Sequence, residues 1–230
     1  AFTPDGVTGA VFARRPGTFA VIFDTAVCTT PRILTSPEGR HFFGHGAFSA
    51  DGKLLYATEN DIATAQGLIG IYDIAGGYRR IGEFPTHGIG PHEAILLPDG
   101  ITLAVANGGI ETNPAFGRAL LNLAGMDPSL SFIDTRDGAL LGQLRLPAEL
   151  HRLSIRHLAV DSHRQVWFGC QYEGGSEQPP PLVGRATLQG EIELVDLPLE
   201  PLARLRNFVG GSSASTSCPG IASSSPDAAP

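Results

Sequence analysis

Three of the seven histidines stand in comparable surroundings. They are His45 in Gly44-His45-Gly46, His92 in Gly90-Pro91-His92-Glu93, and His157 in Ile155-Arg156-His157. Each comes just ahead of an apolar stretch with strand character. Neutral imidazole is a good ligand for Zn, Cu, Fe and Ni. Gathered at one place, the three would hold a transition metal or offer a ligand to haem. The competing reading is that each imidazole hydrogen-bonds its neighbours and steadies the fold. The three agree in register only to within one or two residues, and there is no HExxH or other close metal spacing.

His87, Glu93 and Arg156 flank these histidines, and Glu59, Asn60 and Asn107 follow other strands. These six are the candidate ligand-binding residues. The plainer alternative for a polar residue at a strand end is that it solvates a turn. His41, His151 and His163 do not recur and read as surface residues. There is no GxSxG elbow, no phosphate loop and no GxGxxG, so no catalytic residue is assigned.

The elements that would position these side chains form a repeat. Ala1-Phe2-Thr3-Pro4-Asp5-Gly6 returns as Ala47-Phe48-Ser49-Ala50-Asp51-Gly52 and as Ile95-Leu96-Leu97-Pro98-Asp99-Gly100, with a weaker copy at Leu158-Ala159-Val160-Asp161-Ser162-His163. Each is an apolar strand running into a polar turn, where Gly supplies the positive φ that a tight hairpin needs. A β-rich stretch follows each turn: Gly9–Ala13, Leu54–Thr58, Thr102–Ala106 and Gln165–Gly169. A third strand ends in Asp at Asp24, Asp73 and Asp134, placed to bond nearby amides. A more polar fourth strand closes three units, at Arg79–Phe84, Leu140–Leu146 and Glu191–Leu197.

Four strands in a period of roughly 45 residues predict a propeller blade. The expected fold is therefore an all-β propeller of four-stranded blades, with units of about 1–38, 39–88, 89–150 and 151–206. A β-sandwich competes but lacks this ordered four-part repeat. In a propeller the innermost strands ring a central channel, so the three histidines would converge at its mouth. The third unit carries an insertion, about Thr112 to Pro128, predicted to be a short helix or ordered loop that decorates one face.

Composition narrows the partners. A net charge of −7 disfavours nucleic acid, which needs a basic surface. No apolar run is long enough to span a bilayer. Cys28, Cys170 and Cys218 show no zinc spacing, and the first two are expected as buried thiols in different blades. The last stretch, 211–230, is Ser-rich, has no apolar period and is expected to be disordered. Its abrupt start and the opening on Ala1 in mid-pattern suggest a fragment end or reading-frame error; a linker is the alternative. Four such blades would leave strand edges open and invite self-association.

The strings Gly39-Arg40-His41-Phe42-Phe43-Gly44-His45-Gly46-Ala47-Phe48-Ser49 and Gly82-Glu83-Phe84-Pro85-Thr86-His87-Gly88-Ile89-Gly90-Pro91-His92-Glu93 resemble the bacterial family called domain of unknown function 1513. Tyr56–Asp61, Val105–Ile110, Leu153–Asp161 and Gln171–Gly174 extend the resemblance from Ala1 to about Gly210. It implies a periplasmic propeller of the YVTN-repeat or quinoprotein amine dehydrogenase-like type, often exported by the twin-arginine route, with about seven blades when complete. It also implies neighbours among periplasmic iron-uptake proteins, imelysin-like and di-haem oxidoreductase-like. No activity is established for that family, so no catalytic residue carries over.

Residues and resemblance together predict a non-catalytic binding or scaffold module, in iron, metal or haem acquisition, with its ligand at the channel mouth. The alternative is a propeller enzyme, either redox or lactonase-like, and for a lactonase Glu59, Asn60 and Asn107 are the candidate ligands of a divalent ion. Fold analogy alone is a weak argument for either chemistry.

Overall fold

The computed structural model describes residues 1–14, 17–27, 30–117, 119–174 and 180–196. The repeats fold into four antiparallel sheets set side by side, each a meander in which chain neighbours are sheet neighbours. The first holds β1 (Thr8–Phe12), β2 (Phe19–Asp24) and β3 (Arg32–Thr35), with Phe2 bridging to Gly9 at its inner edge. The second holds β4 (Arg40–Phe48), β5 (Leu54–Asp61), β6 (Gln66–Asp73) and β7 (Arg79–Ile89). The third holds β8 (Pro91–Leu96), β9 (Thr102–Asn107), β10 (Ser129–Asp134) and β11 (Leu140–Arg145). The fourth holds β12 (Leu153–Val160), β13 (Val166–Tyr172), β14 (Val183–Ala186) and β15 (Glu193–Val195). These are the blades of a propeller, and the inner strand β8 lies between β4 and β12.

Two strands go beyond the sequence patterning. β3 supplies an outer strand to the first blade, and β14 the third strand of the fourth. Both have only four residues, and β3 buries Leu34 alone. That is too little alternation to read.

The period of two along each strand builds the seams between blades. In β5, Leu55 and Ala57 face the first blade and pack with Ala10, Ile22 and Phe42. Tyr56, between them, faces the third blade with Leu103, Val105 and Ile133. In β9, Ala104 and Ala106 turn the other way and meet Phe132, Phe168 and Cys170. Phe42, Phe132 and Phe168 are almost wholly buried, and each such ring stabilises by about 2–3 kcal/mol. Burial pushes the Cys170 thiol up to about 12. Cys28, Cys218 and the stretch 211–230 lie outside the described residues.

The Asp residues do the work the sequence predicts. Asp99 Oδ1 accepts from the amides of Ile101 and Thr102, both at 2.9 Å, beside Gly100 at φ 75°. At the third strands' ends, Asp24 accepts from Ala26 and Val27, and Asp134 from Arg136. The fourth blade lacks the turn glycine, and there Arg164 takes φ 62°. The described residues of the insertion form a loop with two 3-10 turns, Pro114–Phe116 and Leu123–Gly125. Asn122 pins it, accepting from Glu111 N at 2.7 Å and donating to Gly109 O at 3.0 Å. Among the described residues no helix is long and apolar enough to cross a membrane.

Candidate metal centre

His45, His92 and His157 lie within the inner strands β4, β8 and β12, not ahead of them. Each of these strands breaks register at its histidine or, in β12, at the preceding Arg156, and pairing resumes beyond the break. The shifts fall between Phe42 and Gly46, between Pro91 and Glu93, and between Ile155 and His157. β-bulges of this kind re-aim side chains and are frequent beside functional sites. Here they take His45 and His92 out of the pairing ladder and offset His157 by one residue. The bulge in β4 is held by Thr58 Oγ1, which donates to His45 O at 2.9 Å.

The three rings meet. Centroids are 5.0 Å apart for His45 and His92, 5.3 Å for His45 and His157, and 4.8 Å for His92 and His157. One ligand nitrogen from each lies within 4.8 Å of the others. A tetrahedral metal with bonds of about 2.0–2.1 Å would set its nitrogens about 3.3 Å apart, so ring movements of about 1 Å close the set.

Glu93 holds two of the rings. Its Oε1 is 3.3 Å from His45 Nδ1 and its Oε2 is 3.4 Å from His157 Nδ1. The Leu158 amide donates to Oε2 at 2.7 Å. Burial alone would raise the Glu93 carboxyl. The contacts to His157 and His45, with the Leu158 amide, outweigh it and hold the group well below the usual carboxylate range. A carboxylate on Nδ1 fixes an imidazole's tautomer and leaves Nε2 to coordinate. His92 is 2% exposed and its Nδ1 has no hydrogen-bond partner among the described residues. Burial, then the charges of Arg156, His45 and His157, bring its pKa down to about 2, so the ring is neutral and fit to ligate.

The other candidates stand elsewhere. Arg156, beside His157, is 3.3 Å from Glu173. Glu59 is fully buried inside the second blade, paired with Arg80 at 2.8 Å and accepting from Tyr72 Oη at 2.6 Å. Asn60 is buried and donates to Asp61 O at 3.0 Å. Asn107 is buried and donates to Thr86 O and Ser131 Oγ. None of these three solvates a turn: each sits in a second strand whose two faces are covered by neighbouring sheets. His87 is exposed, with φ 57°, and its carbonyl accepts from Gln143 Nε2. His41, read from sequence as a surface residue, is wholly buried and packs on Phe43 at 5.3 Å, because β4 extends far enough to carry it under the blade. Glu93 was singled out in sequence, but its hold on two imidazoles was not. The one or two residues of misregister among the histidines were the visible trace of the bulges.

On its other side the centre opens to a cleft of about 750 Å³ along the inner strands, walled by Phe2, Val11, Phe12 and Ile95 and touched by His45 and Glu93.

No curated protein matches the chain. Among solved structures it is similar to a protein of unknown function from Bacteroides caccae, with TM-score 0.53 and 11% identity over 82% of this chain and 58% of that one. It is similar also to the Dos1 propeller, with TM-score 0.53 and 12% identity over 84% of this chain and 44% of that one. The chain thus spans about half the length of these structures. At such identities the likeness shows the fold, a β-propeller, and nothing finer. The family described as protein of unknown function (DUF1513) matches residues 1–229, and the chain belongs to that family.

Proposed function

We propose that the chain is a non-catalytic binding module that holds one transition-metal ion between His45, His92 and His157, with Glu93 orienting two of the rings. The observation behind this is the trio itself: three imidazoles from three blades within ligand reach, one buried and neutral. A hydrogen-bonding role in the fold would give each ring its own partner, and His92 Nδ1 has none among the described residues. Three nitrogens suit Zn, Cu, Fe or Ni and leave a coordination position for a further ligand.

Haem is the second reading, favoured by the apolar cleft that reaches His45, since an imidazole is a common axial ligand. Periplasmic placement and service in iron or metal uptake, beside imelysin-like or di-haem oxidoreductase-like partners, belong to the same proposal and are supported by the family resemblance. The lactonase-like alternative finds less support, because Glu59, the one carboxylate in its ligand set, is held by Arg80 and Tyr72 inside the second blade.

The test is titration of the full chain with Zn²⁺, Cu²⁺ and Fe²⁺, followed by calorimetry, and with haem, followed by absorbance. One metal per chain is expected, lost in the His45→Ala/His92→Ala/His157→Ala variant. Should that variant misfold, His45→Gln is expected to lower affinity at least tenfold while circular dichroism stays unchanged. Absence of binding by the native chain, or binding by a folded triple variant at native strength, would overturn the proposal.

A further inference from the structure

A second, smaller pocket is lined by residues one to three positions ahead of the three histidines. Phe43, Gly90, Ser154 and Arg156 line it, with Thr112 from the insertion and Arg14 from the first blade. Its volume of about 30 Å³ admits about two water-sized groups, the size of a carboxylate. Thr112 is 4% exposed, yet its Oγ1 has no hydrogen-bond partner among the described residues. A buried hydroxyl in that state is costly unless something arrives to pair with it. The Arg156 side chain is 11% exposed and forms one wall. Arg14 is exposed at the entrance and makes no ion pair among the described residues. The positive charge of both reaches His92.

We propose that this pocket binds the carboxylate group of a small organic acid, with Thr112 Oγ1 donating to one oxygen and the Arg14 guanidinium neutralising the charge, against a wall formed by Arg156, itself paired with Glu173. Guanidinium matches a carboxylate through parallel N–H groups. Phe43, Ile110 and Leu120 in the lining shield the pairing from water, which strengthens it. The site does not depend on a metal at the histidines.

The experiment uses the metal-free full chain with sodium acetate as probe, against sodium chloride at constant ionic strength, read by thermal melting and calorimetric titration. Acetate is expected to bind with a dissociation constant on the order of millimolar and to raise the melting temperature, while chloride and the bulkier inorganic phosphate do not. Thr112→Val keeps the shape and removes the hydroxyl. It is expected to melt at or above the native temperature without acetate, yet to bind acetate at least fivefold more weakly. Arg14→Gln is expected to weaken acetate similarly. His45→Ala is expected to lose metal affinity and keep the acetate response, which separates this site from the metal centre. The proposal falls if acetate acts no differently from chloride, if phosphate binds as well as acetate, or if both Thr112→Val and Arg14→Gln bind acetate like the native chain.

Discussion

Glu59 and Glu93 are both drawn out of water, but they meet different partners. Glu59 is sealed in the second blade against Arg80 and Tyr72, a cation that does not titrate and a phenol. Burial, followed by the charge of Glu59, raises the Tyr72 hydroxyl far above its usual range. Gly70 makes room for this carboxylate, since a Cβ there would overlap it. Glu93 stands at the axis, 19% exposed, against two imidazoles and one amide. A carboxylate that neutralises a fixed cation is complete, and its role is structural. A carboxylate that grips Nδ1 of two histidines orients groups whose other nitrogens can serve a ligand. Burial alone therefore does not mark a site: the chemistry of the partners does.

The largest expected effect falls on the blade interior. Arg80→Met leaves Glu59 as a buried, uncompensated charge and should cost about 3 kcal/mol of stability, measured by urea denaturation. Metal stoichiometry should be unchanged. Adding Glu59→Gln should recover most of the loss. A cost below about 1 kcal/mol would place the pair with exposed salt bridges and erase the contrast.

At the axis the effect should appear in binding. Glu93→Gln is expected to weaken Zn²⁺ affinity by about 10–100-fold, with a smaller change in folding stability than Arg80→Met. Unaltered affinity, or a stability loss as large as that of Arg80→Met, would make Glu93 a second structural carboxylate. The smallest effect lies away from both. Arg164→Gly relieves a positive φ in a non-glycine turn and should stabilise by about 0.5–1 kcal/mol. Because its turn touches neither carboxylate, the gain should add unchanged to either variant. A gain that differs between the two backgrounds would mean that blade interior and axis are coupled.

Much of the fold was legible because its signals are local. An Asp-Gly turn after an apolar stretch, then a strand, then a third strand ending in Asp, all lie within a few residues of one another, and the structure closes those turns through the same side chains. The outer strand β3 and the strand β14 escaped because four residues carry too little pattern. The buried state of His41 escaped because it depends on where β4 begins. The pairing of Glu59 with Arg80 escaped because β6 lies between their strands, and only a formed sheet carries Arg80 across it.

The sequence by itself determined that this chain makes four-stranded blades, where their turns fall, and that three histidines recur near the inner strands. Only the tertiary structure decided that those rings touch, that Glu93 holds two of them, and that Thr112 and Arg156 line the smaller pocket. The physical reason is range. Alternation and turn chemistry act within a few residues. The meeting of His45, His92 and His157 needs three sheets to stack in order and three bulges to absorb the misregister between them.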